Sequence, residues 1–282
     1  MTIMLSNFWL IAQEQNKVAN IEENTFEETR SFIELGAGIN SVSFKDLATS
    51  PLIYRGTSIG LKLAYTKQSS NKEVKFGIDY FSSSTFSYVE GETVEGDLSF
   101  ADIQSVDLNY SRLYSLKSLS FKGWQPKVGG AVSVLGALRI NTDLSNNALG
   151  LDFFPTLFGS FKIGKDFTRH LPFRKKKGPR NQHFSIQLDV GLINTNFRNG
   201  YAYTNHAPAY NEPDLLFEDY QFNLFSGIRI RSTVDYILYA KNTKNAIKLS
   251  YNWTGVRSGE NPDRFALSNG LFSFSLLHRL NK

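Results

Sequence analysis

Along this chain large apolar residues take every second position for several residues at a time, with Gly, Ser, Lys, Arg, Asp and Asn between them. Val74, Phe76, Ile78 and Tyr80 alternate with Lys75, Gly77 and Asp79. Phe184, Ile186, Leu188, Val190 and Leu192 alternate with Ser185, Gln187, Asp189 and Gly191. A period of two sends successive side chains to opposite faces of a strand, so each segment has one apolar and one polar face. Such strands suit a water-soluble sandwich or a membrane barrel turned inside out.

Segments with this pattern fall near 31–44, 58–66, 74–80, 105–110, 128–140, 157–163, 184–192, 220–240, 247–253 and 272–280. In the 220–240 segment the even positions hold Tyr220, Phe222, Leu224, Ile228, Ile230, Val234, Tyr236 and Leu238. The unbroken parity reads as one long strand. The count is ten strands, or twelve if 80–125 or 220–240 conceals another reversal. NTDLSNNALG, at 141–150, reads as a loop because Asn, Asp, Ser and Gly favour local backbone bonding and permissive torsions.

The polar faces decide between the two architectures. A sandwich would clothe them in long hydrated side chains, but here they are rich in Gly, Ser, Ala and Asn with isolated charges. Lys62, Asp79, Asp107, Arg139, Lys162, Asp189, Arg229, Arg231, Asp235, Lys248 and Arg279 form a candidate charge network for a narrow lumen. The apolar faces would then meet lipid, and closure would satisfy every strand edge, as hydrocarbon requires. Tyr65, Tyr80, Tyr110, Tyr220 and Trp253 stand near strand ends, where interfacial girdles form. The fold expected is all-β, a closed antiparallel transmembrane β-barrel over 31–282.

Composition narrows the chemistry. The chain of 282 residues has no Cys, which removes disulfide scaffolds, thiolate metal sites and cysteine nucleophiles. No segment approaches the roughly 18 consecutive apolar residues of a membrane helix. The formal charge of +5 is diffuse except around Arg174, Lys175, Lys176, Lys177 and Arg180, which read as a solvated turn. Without a stacking motif of aromatics, nucleic acid is not an expected partner. The opening apolar stretch ending in Leu10, Ile11 and Ala12 resembles the back half of a secretory signal, 1–12, with a small buried strand as the other reading. A flexible segment is expected over 13–30.

His170, His183, His206 and His278 are not in metal-ligand spacing, and GxSxG, P-loop and GxGxxG motifs are missing, so no cofactor or metal is expected. The 196–219 segment could gather Tyr201, Tyr203, His206, Tyr210, Glu212 and Asp214 at the barrel mouth as a ligand or partner loop. An acid/base site there would make the chain a hydrolase, which needs His206 beside a carboxylate and a nucleophile or water.

With these alternating strands and Asn- and Lys-rich loops, the region from 31 to 282 resembles bacterial outer-membrane barrels, and most resembles those of Bacteroidota. In the last strand Phe272, Phe274, Leu276 and Leu280 fit the signal that barrel-insertion machinery reads in that family, but Lys282 stands where an aromatic is usual. The resemblance implies a multi-pass protein of the cell outer membrane, in contact with membrane lipid and lipopolysaccharide. Both ends of the barrel are expected in the periplasm, with outer loops around 45–57, 87–95, 141–149, 196–219 and 254–265. The expected function is non-enzymatic: a structural or accessory subunit of a surface or transport complex, with a membrane or surface protein partner and a largely filled lumen. A narrow porin and an outer-membrane hydrolase are the alternatives.

Overall fold

The computed structural model describes residues 29–88, 99–143, 149–169, 178–199, 220–240, 244–260 and 263–280. Its strands are β1 (Arg30–Asp46), β2 (Ser50–Gln68), β3 (Lys72–Tyr88), β4 (Phe100–Ser115), β5 (Trp124–Ile140) and β6 (Leu149–Arg169). They continue as β7 (Arg180–Asn194), β8 (Asn196–Asn199), β9 (Tyr220–Asn223), β10 (Ile228–Tyr239), β11 (Asn245–Ser258) and β12 (Phe265–Arg279). All pairings between strands are antiparallel, β1 pairs with β12, and the β5–β6 pairing completes the ring. β8 prolongs β7 and β9 leads into β10, so twelve strands build ten staves. The expected ten-strand closed barrel is the architecture found.

Register explains the lipid-facing belt. Leu276 stands opposite Leu35, Leu35 opposite Leu63, Leu63 opposite Ile78, Ile78 opposite Leu108, and Leu108 opposite Val134. This row crosses six neighbouring strands, and the side chains are exposed or half-exposed. Through the belt the ring of ten staves is closed, so the backbone there is satisfied within the sheet, the condition for crossing hydrocarbon.

The ten staves are longer than the roughly 9–11 residues that span a membrane. The surplus lies mainly at the far end, opposite the start of β1, and there the hydrophobic phase reverses while the side chains keep their direction. On β1 the outward positions change from Ile33, Leu35 and Ile39 to Ser41, Ser43 and Lys45, and the inward ones from Glu34 and Asn40 to Val42 and Phe44. On β12 the outward Phe272 and Phe274 give way to Ser268, and the inward Ser273 and Ser275 to Leu267 and Phe265. The belt is apolar outside and charged inside. The collar beyond it, on these strands, has the polarity of an ordinary water-soluble barrel.

This reversal corrects two expectations. The outer connection expected over 45–57 shrinks to 47–49, because β1 runs to Asp46 and β2 begins at Ser50. The one expected over 254–265 likewise shrinks, since β11 runs to Ser258. The single strand expected over 220–240 is also broken: Phe225 (φ 54°) and Gly227 (φ 82°) turn the chain between β9 and β10. No reversal follows, because both pieces belong to the same stave. The pairing sum changes by one residue there, from Ile230 opposite Val190 to Asn223 opposite Asn196, so the break absorbs a register slip.

Candidate functional site

Charged side chains line the lumen and pair with one another. Near the β1 start, Glu73 of β3 accepts from Lys127 of β5 (2.7 Å) and Lys162 of β6 (2.5 Å). Lys248 of β11 lies 3.1 Å from both Glu34 of β1 and Asp235 of β10. Ser275 donates to the Glu34 carboxylate at 3.0 Å, and Ser250 donates to Asp235. Higher up, Arg229 of β10 donates to Asp107 of β4 at 2.7 Å, while Arg231 donates to Asp189 of β7 at 2.7 Å. Ser133 caps Asp107, and both guanidiniums lie against the Phe158 ring. A cavity of about 50 Å³ remains among Lys62, Lys75, Asp79, Asp107, Asp189 and Arg231. Buried charges persist only when paired and hydrogen-bonded, and the braces meet that condition by joining staves far apart in sequence.

Above the braces an apolar cluster packs inside the collar. Val42, Phe44, Tyr54, Phe81, Ile103, Leu135, Phe154, Val256, Phe265 and Leu267 pack as one buried cluster. Phe44 stacks on Tyr54 with ring centres 5.1 Å apart, and Phe154 on Phe265 at 5.3 Å. A smaller cluster of Phe32, Ala246 and Leu277, with Ile237 and Tyr239 against it, lies at the opposite end. Hydrocarbon thus bounds the charged compartment on the collar side and borders one side of it at the other end.

At the collar two carboxylates and two guanidiniums close a ring. Asp46 of β1 meets Arg139 (2.5 Å) and Arg198 of β8 (2.9 Å), and Asp152 of β6 meets the same two (2.8 and 2.7 Å). Both guanidiniums also sit over the Phe265 face, at 5.3 and 4.4 Å. Burial acts to raise the Asp46 carboxyl, but Arg139 and Arg198 outweigh it and hold it below the usual carboxylate range. Tyr220, in β9 beside Phe197, accepts from the Leu151 amide at 2.9 Å, and burial pushes its phenol up.

The structure brings together most of the charges expected in the lumen. Lys62 and Asp79 approach at 4.0 Å; Asp107, Arg139, Lys162, Asp189, Arg229, Arg231, Asp235 and Lys248 lie in the braces and the ring described. Arg279 is placed apart from them. It is half-buried at the near mouth and lines a cavity of about 330 Å³ with Arg30, Asp166, Asn181 and Tyr239. Tyr65, Tyr80 and Tyr110 are exposed on the outer face and Trp253 is half-exposed, whereas Tyr220 belongs to the collar and not to a girdle, because the 220–240 segment breaks before the belt begins. Tyr201, Tyr203, His206, Tyr210, Glu212 and Asp214 lie outside the described residues, as do 1–28 and 170–177. Sequence reasoning missed Glu34, Glu73, Lys75, Lys127, Asp46, Asp152 and Arg198 as network members; Glu34, Lys75 and Lys127 stand between apolar neighbours, a usable signal.

No protein-family model matches the chain, and no curated protein matches it. Among solved structures it is similar to the outer membrane protease OmpT of Escherichia coli, at 7% identity over 90% of this chain and 97% of that one, with a TM-score of 0.49. It is similar to Neisserial surface protein A at 6% identity over 89% and 97%, TM-score 0.35. It is also similar to the outer membrane protein OprG of Pseudomonas aeruginosa at 9% identity over 90% and 97%, TM-score 0.33. Likenesses this distant leave the assignment to the chain's own geometry. A closed antiparallel barrel with an apolar outer belt and a charged interior is that of a multi-strand outer-membrane protein.

Proposed function

We propose that this barrel is non-conducting and non-enzymatic, a structural or accessory subunit of a surface or transport complex. The observation that carries the reading is the plug: the collar lumen is packed with buried aromatic and aliphatic side chains, and below it the Arg229–Asp107 pair crosses the bore from β10 to β4. A porin needs a continuous watery path, and hydrocarbon packed at interior density offers none. The paired state of the collar ring supports a scaffolding role over catalysis, since Asp46 and Asp152 are both held by two guanidiniums. The longest connection, 200–219, lies at the collar end, which supports a collar that faces outside the cell. Planar-bilayer recording of the purified intact protein tests the proposal. The expected result is a membrane with no stable openings; large, reproducible open channels would overturn it.

A further inference from the structure

We propose that the lumen holds a resident anion of halide size between Lys75 of β3, Lys62 of β2 and the side-chain amide of Asn252 of β11. The charges inside the belt pair off and leave one cation over. Glu73 takes two lysines, Lys127 and Lys162, while Lys248 takes two carboxylates, Glu34 and Asp235, so these two groups offset each other. Arg229 matches Asp107, and Arg231 matches Asp189. Lys62 has only Asp79, at 4.0 Å. Among the described residues no carboxylate pairs with Lys75.

Lys62, Lys75 and Asn252 all line the cavity of about 50 Å³. Asn252 accepts from the Thr233 hydroxyl through Oδ1 at 3.0 Å, which orients its amide, and its Nδ2 is buried with no hydrogen-bond partner. The charged neighbours of Lys75 are Lys62, Lys248, Glu34 and Asp235, and both of those carboxylates already bond Lys248. Asp107 and Asp189, also on the cavity wall, are each held at 2.7 Å by a guanidinium. The donors with capacity to spare are therefore the two ammoniums and the Asn252 N–H. Asp79 stands opposite Asp107 in the β3–β4 pairing, so an anion belongs on the Lys75 side of the cavity.

The surroundings make an unmatched ammonium costly. Phe81, Leu135, Leu267 and Leu271 form the apolar part of the cavity wall, so hydrocarbon replaces water on that side. A charge there needs a counter-charge, and walls of low dielectric strengthen its attraction for one. A set of ammonium and amide donors selects an anion over a metal cation. The volume suits a halide with a water, not a lipid or a sugar. The inference rests on the closed barrel and holds whether or not the lumen conducts.

Urea midpoints of the intact barrel in detergent test this at constant ionic strength, with sodium gluconate replaced stepwise by sodium chloride or sodium bromide. The wild-type midpoint should rise with halide and level off as the site fills. Lys75→Met should lose the halide response, and in gluconate it should be at least as stable as the wild type, because an uncompensated buried charge is gone. Asn252→Asp keeps the acceptor for Thr233 and supplies a built-in anion, so it should lose the response as well. It carries the test if Lys75→Met fails the heat-modifiable gel shift that reports folding. Lys67→Met, which removes an exposed outward cation on β2, should respond as wild type. Crystals grown in bromide should show an anomalous peak inside the lumen beside Lys75 Nζ and Asn252 Nδ2. A wild type indifferent to halide, an undiminished response in Lys75→Met or Asn252→Asp, or bromide peaks confined to the outer surface would overturn the proposal.

Discussion

Arg229 on β10 crosses the lumen to place its guanidinium 2.7 Å from the carboxylate of Asp107 on β4, 122 residues away in sequence. It also donates to the Phe154 carbonyl at 3.2 Å, with only 1% of its surface exposed. Replacing Arg229 with Met should cost about 3–5 kcal/mol, because it strands a buried carboxylate that Arg231, 4.0 Å away, satisfies only in part. Adding Asp107→Leu should return much of the loss, since a buried pair replaced by apolar volume is often close to neutral. Urea midpoints of the folded form in detergent measure both steps. A double variant as unstable as the sum of the singles would contradict the pairing.

Two outward positions on β2 test the phase reversal. Leu63 faces lipid within the belt, and Thr57 faces outward from the collar. An Arg at Leu63 should cost about 2–4 kcal/mol, whereas an Arg at Thr57 should cost about 0–1 kcal/mol. Folding titrations into vesicles, read as the heat-resistant fraction on a gel, give both values. Equal penalties would mean that the belt does not end where the polarity of β2 changes.

The collar ring should weaken in acid. Because the folded Asp46 carboxyl lies below its unfolded value, its contribution is present above the usual carboxylate range and is lost as pH falls through the lowered folded value. Collar stability should hold steady from neutral pH to about 5 and fall below about 4. Asp46→Asn should lower stability at neutral pH and flatten the acid slope. Hydrogen exchange of the β1 and β12 amides near Asp46 and Phe265 follows the collar as the pH is varied. Protection that rises on acidification would reverse the sign.

Much of the belt was legible because a two-residue period reports facing directly. Leu61, Leu63 and Tyr65 alternate with Gly60, Lys62 and Ala64, and the structure places the first set outward. The collar was harder to read. From Ser50 to Thr57 the apolar residue that matters, Tyr54, points inward, while Arg55 and Thr57 point out, so a rule tuned to apolar-outward strands reads the segment as a loop. The same inversion hid Asp46 and Arg198, which fell in expected loops, and Asp152, whose partners Arg139 and Arg198 come from different parts of the chain. Glu34 was missed for another reason: its neighbours on the inward face are Gly36 and Gly38, and its cation lies 214 residues away.

That separation bears on the timing of assembly. Glu34 is carried by the first strand, but Lys248 comes on the eleventh and Ser275 on the twelfth. Any intermediate that holds β1 in the membrane before β11 and β12 arrive leaves an acid with neither its cation nor its hydroxyl, at the cost of a broken buried pair. A half-built sheet, with only Lys62 and Lys75 near Glu34, is therefore a costlier resting state, which favours insertion coupled to ring closure. Chains that stall before β11 should remain recognisable as unfinished, because the first strand has no way to bury its charge alone.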